Sequence, residues 1–387
     1  MAGLCASLVG LGLARFAYTP LIPGLIAANW FSPSDVVYLG AANLAGYLAG
    51  ALVARSAAAH VGAVWALRGT MILATLACFA CSVPIDFVWF FVWRFLAGLS
   101  GGVIMVLAAS TILPHVSPRK RGVVGGMIFA GIGLGVAASG TLVPLLLQHG
   151  LRESWYGLGA LSGLLTLISW RSWPQTQAAA HTAPVSQGIR SVPQSSAIRA
   201  LLLEYGLNAF ALVPHMVFLV DFIARGLGQG VAAGSYYWVL YGLGAIVGPL
   251  LTGHMADRAG FGPALKVAFL LEAIGIVLPA LSTEPASLIV SSVLIGGLTP
   301  GIVPLVLGRI HELAPHSAEA QRVVWGRATT MFALFQAAGA YSLSYLFQRS
   351  GENYTLLFAL GSIAIILALA IDLVMALTIR RKPSGAS

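Results

Sequence analysis

The sequence predicts an all-α integral membrane protein of twelve transmembrane helices, arranged as two pseudo-symmetric six-helix bundles. Composition is the first observation behind this. The chain is 58% hydrophobic, holds 45 glycines and is only 9% charged, where a soluble protein carries about 25% charged residues. Mean hydropathy is +0.89. At roughly 30 residues for a span and its connection, 387 residues hold about a dozen helices and leave none for a soluble domain. Charge placement is the second observation. A net charge of +9 would by itself admit a nucleic acid partner, but of the 21 Lys and Arg only Arg152, Arg225 and Arg349 fall outside. Arg15 and Arg94 lie within spans, and the remaining 16 flank the inner side. This bias excludes nucleic acid, predicts two cytoplasmic termini in a bacterial inner membrane, and leaves the lipid bilayer as the large partner.

An internal repeat is the third observation. Phe16-Ala17-x-x-Pro20 recurs as Phe210-Ala211-x-x-Pro214 at an offset of 194. Gly98-Leu99-Ser100-Gly101-Gly102 recurs as Gly297-Leu298-Thr299-Pro300-Gly301 at 199, and Pro114-His115 as Pro315-His316 at 201. Three matches in one order at nearly one offset predict two parallel six-helix repeats, with a substrate site between them near the bilayer midplane.

Taken in order, the predicted spans begin with 3–28, an apolar run long enough to cross a bilayer core of roughly 30 Å. It exceeds a signal-peptide core and reads as its own signal anchor. Arg15 sits near its middle, where a guanidinium costs at least about 2.5 kcal/mol unless it faces protein or water. The second span, 35–54, closes on Gly50 and Arg55. The third, 66–83, holds Cys78 and Cys81, which with Cys5 read as apolar packing residues rather than metal or redox groups. The fourth, 87–112, carries Arg94 outside the midplane. The fifth, 122–147, contains Gly131-x-Gly133-x-Gly135, where no strand precedes to make a dinucleotide loop, so small residues for close helix approach are the reading. The sixth, 154–172, precedes a stretch with Pro174, Pro184 and Pro193 that reads as an unstructured linker. Expected units are therefore 1–172, a cytoplasmic linker 173–198, and 199–387.

The seventh span, 199–223, holds Glu204, His215 and Asp221, with Asp221 and Arg225 spaced for a local ion pair. The eighth, 232–253, is rich in aromatics. The ninth, 263–282, buries Glu272, which should be protonated or turned toward a partner. In the tenth, 286–308, Pro300, Gly301 and Pro304 predict a broken helix. His311-Glu312-x-x-x-His316 is one residue too long for a zinc protease motif and contains Pro315. The eleventh and twelfth spans are 325–347 and 354–378.

Several motifs give the pattern a family. Gly253-His254-Met255-Ala256-Asp257-Arg258-Ala259-Gly260 between spans eight and nine resembles the inner-loop signature of the major facilitator superfamily of secondary transporters, and the resemblance covers essentially the whole chain. The corresponding Gly50-Ala51-Leu52-Val53-Ala54-Arg55 has Ala54 where an acid is expected. Arg94-Phe95-Leu96-Ala97-Gly98 resembles the family's fourth-helix arginine motif. Gly131 to Val136 is similar to its glycine-rich antiporter motif, with Val136 in place of proline. Gly12-x-x-Arg15-Phe16-Ala17-Tyr18-Thr19-Pro20-Leu21-Ile22-Pro23 looks like the YbfB/YjiJ-type branch. The resemblance implies a transporter and not an enzyme, with spans one, four, seven and ten lining a cavity.

On this reading Arg15, Tyr18, Tyr47, Arg94, His215, Tyr237 and Tyr241 are the candidate substrate-binding residues. Glu204, Asp221 and Glu272 are candidates for proton coupling, and Gly253, Asp257, Arg258 and Gly260 form the inner gating motif. No cofactor or metal is expected, and the carrier should work as a monomer on a small organic solute, with H+ as a coupling ion. Two arginines in the first half suggest an organic anion. The alternative is a multidrug/proton antiporter that exports lipophilic cations.

Overall fold

The computed structural model describes residues 1–117, 121–174, 195–315 and 317–381. Most of the predicted linker (175–194) and His316 lie outside them. Twelve long helices follow one another: α1 Ala2–Ala27, α2 Pro33–Val61, α3 Ala63–Ala80, α4 Phe87–Ile112, α5 Arg121–Leu147, α6 Leu151–Ser169, α7 Ser196–Gly226, α8 Gly230–Ala259, α9 Phe261–Leu281, α10 Pro285–Leu313, α11 Ala318–Arg349 and α12 Tyr354–Arg381. Among the described residues, ten are long and apolar enough to cross a membrane. The other two, α6 and α11, are long enough but diluted by polar residues such as Arg152, Glu153, Gln321, Arg327 and Gln336. Large apolar side chains including Leu167, Leu250 and Leu281 point outward, as a lipid-facing surface requires.

Local chemistry sets the ends. Ser32 and Asp35 form a reciprocal capping box that starts α2, with Pro33 at its first position. Gly62 (φ 86°) and Gly260 (φ 83°) stop α2 and α8 in backbone that other residues rarely adopt. Because nothing before Gly260 interrupts the helix, Gly253, Asp257 and Arg258 sit within the last turns of α8. The predicted loop is therefore helical, and only Gly260 lies beyond it.

The predicted break in span ten is also corrected. α10 runs through Pro300 and Pro304 without interruption. Neighbouring hydroxyls serve the carbonyls around the prolines: Thr252 Oγ1 donates to the Gly301 carbonyl (2.7 Å) and Thr299 Oγ1 to that of Ile295 (2.7 Å). Register breaks occur instead in α1 and α7. Residues Leu8–Phe16 wind as π-helix ahead of Pro20, and the Ala17 amide reaches back five residues to the Gly12 carbonyl (3.0 Å). In α7 the π turns are Pro214–Phe218 and Phe222–Gly226. Each proline removes one amide donor, and the extra residue per turn absorbs the mismatch.

The two halves pack alike. A Cβ on Gly46, Gly50 or Gly98 would run into the carbonyls of Phe95, Leu99 and Asn43, so α2 and α4 touch backbone to backbone. Gly244, Gly248 and Gly296 meet the carbonyls of Val293, Gly297 and Tyr241 in the same way between α8 and α10. Every partner is displaced by 198 positions (46 to 244, 95 to 293, 98 to 296). The true equivalent of Gly98 is therefore Gly296, one residue from the match read in sequence, because glycine-rich strings align by letter in several registers while packing allows one.

Contacts between the halves use α5 with α8, α2 with α11, and α1 with α7. The α5 glycines divide this work. Gly131 and Gly135 face α1, where Gly135 lies against Gly12, whereas Gly133 faces Ala245 and Ile246 of α8.

Candidate functional site

The broken stretch of α1 positions the first arginine. Arg15 is buried at the C-terminal end of the π segment, and its Nη2 donates to Gln336 Oε1 on α11 (2.7 Å) and lies 3.9 Å from Met216 Sδ on α7. Its guanidinium carbon is 4.9 Å from the Tyr47 ring centroid and 5.0 Å from that of Phe16, within cation–π range. The bond to Gln336 joins the two halves. Gln336 Nε2 in turn rests on Met216 Sδ (3.4 Å), so residues from α1, α2, α7 and α11 meet at one guanidinium.

Arg94 approaches the same place from α4. Its Nη1 donates to the Ala14 carbonyl (2.9 Å), and its guanidinium carbon lies 4.0 Å from the Tyr18 ring centroid. Asn43 Nδ2 ties α2 to the Arg94 carbonyl (3.1 Å). Tyr18 is anchored through its hydroxyl to the Val36 carbonyl (2.8 Å), and Thr19 Oγ1 donates to the Met216 carbonyl (2.7 Å), a second bond between the halves. Both prolines sit close by: Pro20 follows Thr19 and Pro214 precedes Met216 by two.

Arg15, Phe16, Tyr18, Thr19, Asn43, Arg94 and Met216 line a narrow cleft of about 20 Å³, with Ile22, Gly40, Leu44 and Val217 as its apolar wall. No carboxylate lines it. Neither Arg15 nor Arg94 forms an ion pair among the described residues, and the Nε of each, shielded from solvent, has no hydrogen-bond partner. Two buried guanidiniums therefore share one small space, each satisfied on one arm by a neutral acceptor. An isolated buried cation is expensive, and the wall of this cleft carries no counter-charge for either one.

Arg15, Tyr18 and Arg94 line this cleft, and Tyr47 supports Arg15 from behind. Tyr241 stands one layer away, its hydroxyl donating to Thr299 Oγ1 (2.6 Å) and its ring stacked on Trp238 at 4.9 Å. Trp238 lies 6.1 Å from Phe16, centroid to centroid, and donates through Nε1 to Ser139 Oγ on α5 (3.1 Å), a third bond between the halves. Tyr237 packs on Tyr236 and does not line the cleft. His215 turns into the second half, where Nε2 pairs with Ser291 Oγ (2.8 Å) and the ring sits edge-on to Phe358.

The acids are spread through the second half. Glu272 is fully buried, and both its oxygens accept from Asn208 Nδ2 (2.8 and 2.7 Å). Asp221 accepts both arms of Arg225 (2.7 Å each) and the Tyr354 hydroxyl, the local pair that the spacing implied. Glu204 lines a second cleft with Arg309 and Asp372, and Asp372 pairs with Lys266 at 2.9 Å. Asp257 and Arg258 are exposed at the end of α8. Glu312 binds Arg309 (2.6 Å) and caps the Phe261 amide (3.2 Å). The sequence reading missed Gln336, Met216, Asn43 and Asn208. A signal for three of them was available, since an in-span carboxamide also needs a partner.

A family model described as an uncharacterised MFS-type transporter, YbfB, matches residues 7–373. A protein of Haemophilus influenzae, provisionally named as a metabolite transport protein, is 23% identical over 391 positions, covering 94% of each chain. Among solved structures the chain is similar to the nucleoside transporter NupG (TM-score 0.73, 14% identity, 96% of this chain and 99% of that one). It is also similar to a bacterial homologue of the human lysosomal transporter Spinster in an inward-facing, occupied form (TM-score 0.69, 15% identity, 100% and 98%).

Proposed function

Since the chain belongs to the major facilitator superfamily, in the family of YbfB-type transporters, we propose that it carries a small organic anion across the bacterial inner membrane by alternating access. Its halves, 1–172 and 199–387, rock about the cleft while the linker and both termini stay in the cytoplasm, and one chain is the working unit. The observation that carries this reading is the pair Arg15 and Arg94, lining one cleft with no carboxylate on its wall and with an Nε left without a partner on each. A planar guanidinium matches a carboxylate or phosphate through two parallel bonds, and Tyr18, Thr19 and Asn43 offer polar contacts to the rest of the solute.

Protons are proposed as the coupling ion, with Glu272 as their carrier. In support, its carboxyl is sealed from water, faces the neutral Asn208, and forms no ion pair among the described residues. Asp221 is engaged by Arg225, and Glu204 opens on a different cleft. The multidrug alternative needs carboxylates around a cation, and the cleft supplies the opposite charge.

The test is reconstitution into proteoliposomes with labelled organic acids. We expect uptake or counterflow of at least one acid by the wild type, reduced about tenfold or more in Arg15→Ala, because a lost hydrogen bond to a charged group is worth about 1.5–3 kcal/mol and 1.4 kcal/mol is a factor of ten. Transport of lipophilic cations, undiminished in Arg15→Ala, would overturn the assignment.

A further inference from the structure

We propose that Gln336 is the stand-in for the substrate's anionic group: its side-chain oxygen holds Arg15 until the entering anion takes its place, which removes one of the bonds that tie the two halves together. The inference rests on the anion reading above and adds to it a residue, a mechanism and a preference for carboxylate-like ligands.

The geometry is specific. Arg15 Nη2 is occupied by Gln336 Oε1 at 2.7 Å, while Arg15 Nε is buried with no acceptor. Nε and Nη2 form one side of the guanidinium fork, the side a carboxylate grips with two parallel bonds. Gln336 therefore occupies half of that side, and among the described residues the Nε half has no protein acceptor. An amide oxygen offers one neutral acceptor, and a carboxylate offers two charged ones, so the exchange runs toward the anion. The amide cannot leave without consequence, because Gln336 is itself buried and, among the described residues, its only other side-chain hydrogen bond runs from Nε2 to Met216 Sδ. On displacement it either turns its NH2 toward the bound anion or withdraws with α11.

Arg15 stands on α1, whereas Gln336 and Met216 stand on α11 and α7. The exchanged bond therefore belongs to the seam between halves, beside the Thr19–Met216 bond. Substrate entry and loosening of that seam become one event, and a neutral solute of the same shape triggers it less readily because it has no charge advantage over the amide it must displace.

Two substitutions test this in the full-length purified protein. Gln336→Glu places a permanent carboxylate on Arg15. The ligand-free melting temperature should rise, and stabilisation by benzoate, succinate or inorganic phosphate should fall at least about tenfold in apparent affinity, as expected from about 1.4 kcal/mol or more of added competition. Gln336→Ala removes the competitor. Its ligand-free melting temperature should drop, while the apparent affinity for the responding anion should match or exceed that of the wild type. Undiminished anion stabilisation in Gln336→Glu, or ligand-free melting temperatures of both variants equal to the wild type, would overturn the proposal. A wild type that responds to none of the three probes while the ligand-free shifts hold would count against the anion reading and leave the seam bond standing.

Discussion

Arg15 and Arg94 differ in what each is for, and their neighbours say how. Arg15 reaches across to α11 and α7 through a neutral amide and a sulfur, partners that the proposed anion displaces. Arg94 instead binds the Ala14 carbonyl and lies over Tyr18, contacts inside its own half that hold the broken segment of α1 against α4. Arg94→Gln should therefore destabilise by about 1–3 kcal/mol, the range for a buried acceptor left without its partner, as read from melting curves of purified protein. Its effect on anion transport should be the smaller one. Both arginines were legible in the sequence, since a guanidinium inside an apolar run must face something other than lipid. Gln336 was not. It carries no charge and meets Arg15 across 321 positions of chain, a pairing that no local pattern encodes.

At the scale of helices, two proline-broken segments meet at the cleft. α1 and α7 each carry π turns beside a proline, and the Thr19–Met216 bond joins them there. Such turns are common at functional sites because they release backbone groups and re-aim side chains. The glycines of α5 show a different division. Gly135→Val would press on the Gly12 backbone within the first half, where no side chain can yield, so it should cost about 1–3 kcal/mol of stability by overpacking. Gly133→Val would press on Ala245 and Ile246 across the seam. It should leave each half folded but slow transport several-fold, which paired melting and uptake measurements would separate. The prolines of α10 looked like a break in sequence, yet that helix is continuous, and the hydroxyls of Thr252 and Thr299 donate to carbonyls beside the prolines. One of those threonines is on another helix, so the outcome could not be read from α10 alone.

For the whole molecule, charge is divided between the halves. The cleft's two cations both come from the first half, and the sealed carboxyl of Glu272, held by Asn208, lies within the second. α7 joins them: Asn208 serves Glu272, and Met216, two turns on, touches Arg15 and Thr19. Glu272→Gln keeps a hydrogen-bonding group opposite Asn208 while removing the titrating site. We expect it to fold, to retain anion exchange, and to lose the response of net uptake to a pH gradient, a combination that counterflow and pH-jump assays in proteoliposomes would reveal. Uptake still driven by the gradient would reassign the proton to another carboxyl. What the sequence by itself determined was the membrane class, the twelve spans, the duplicated plan and the family, because these follow from composition, length and local motif, all additive along the chain. The register of the repeat, the true sites of helix rupture and the company each buried polar group keeps were decided only by the tertiary structure. Those depend on which distant backbones come within touching distance, and in so apolar a chain many pairings satisfy the pattern while packing admits one.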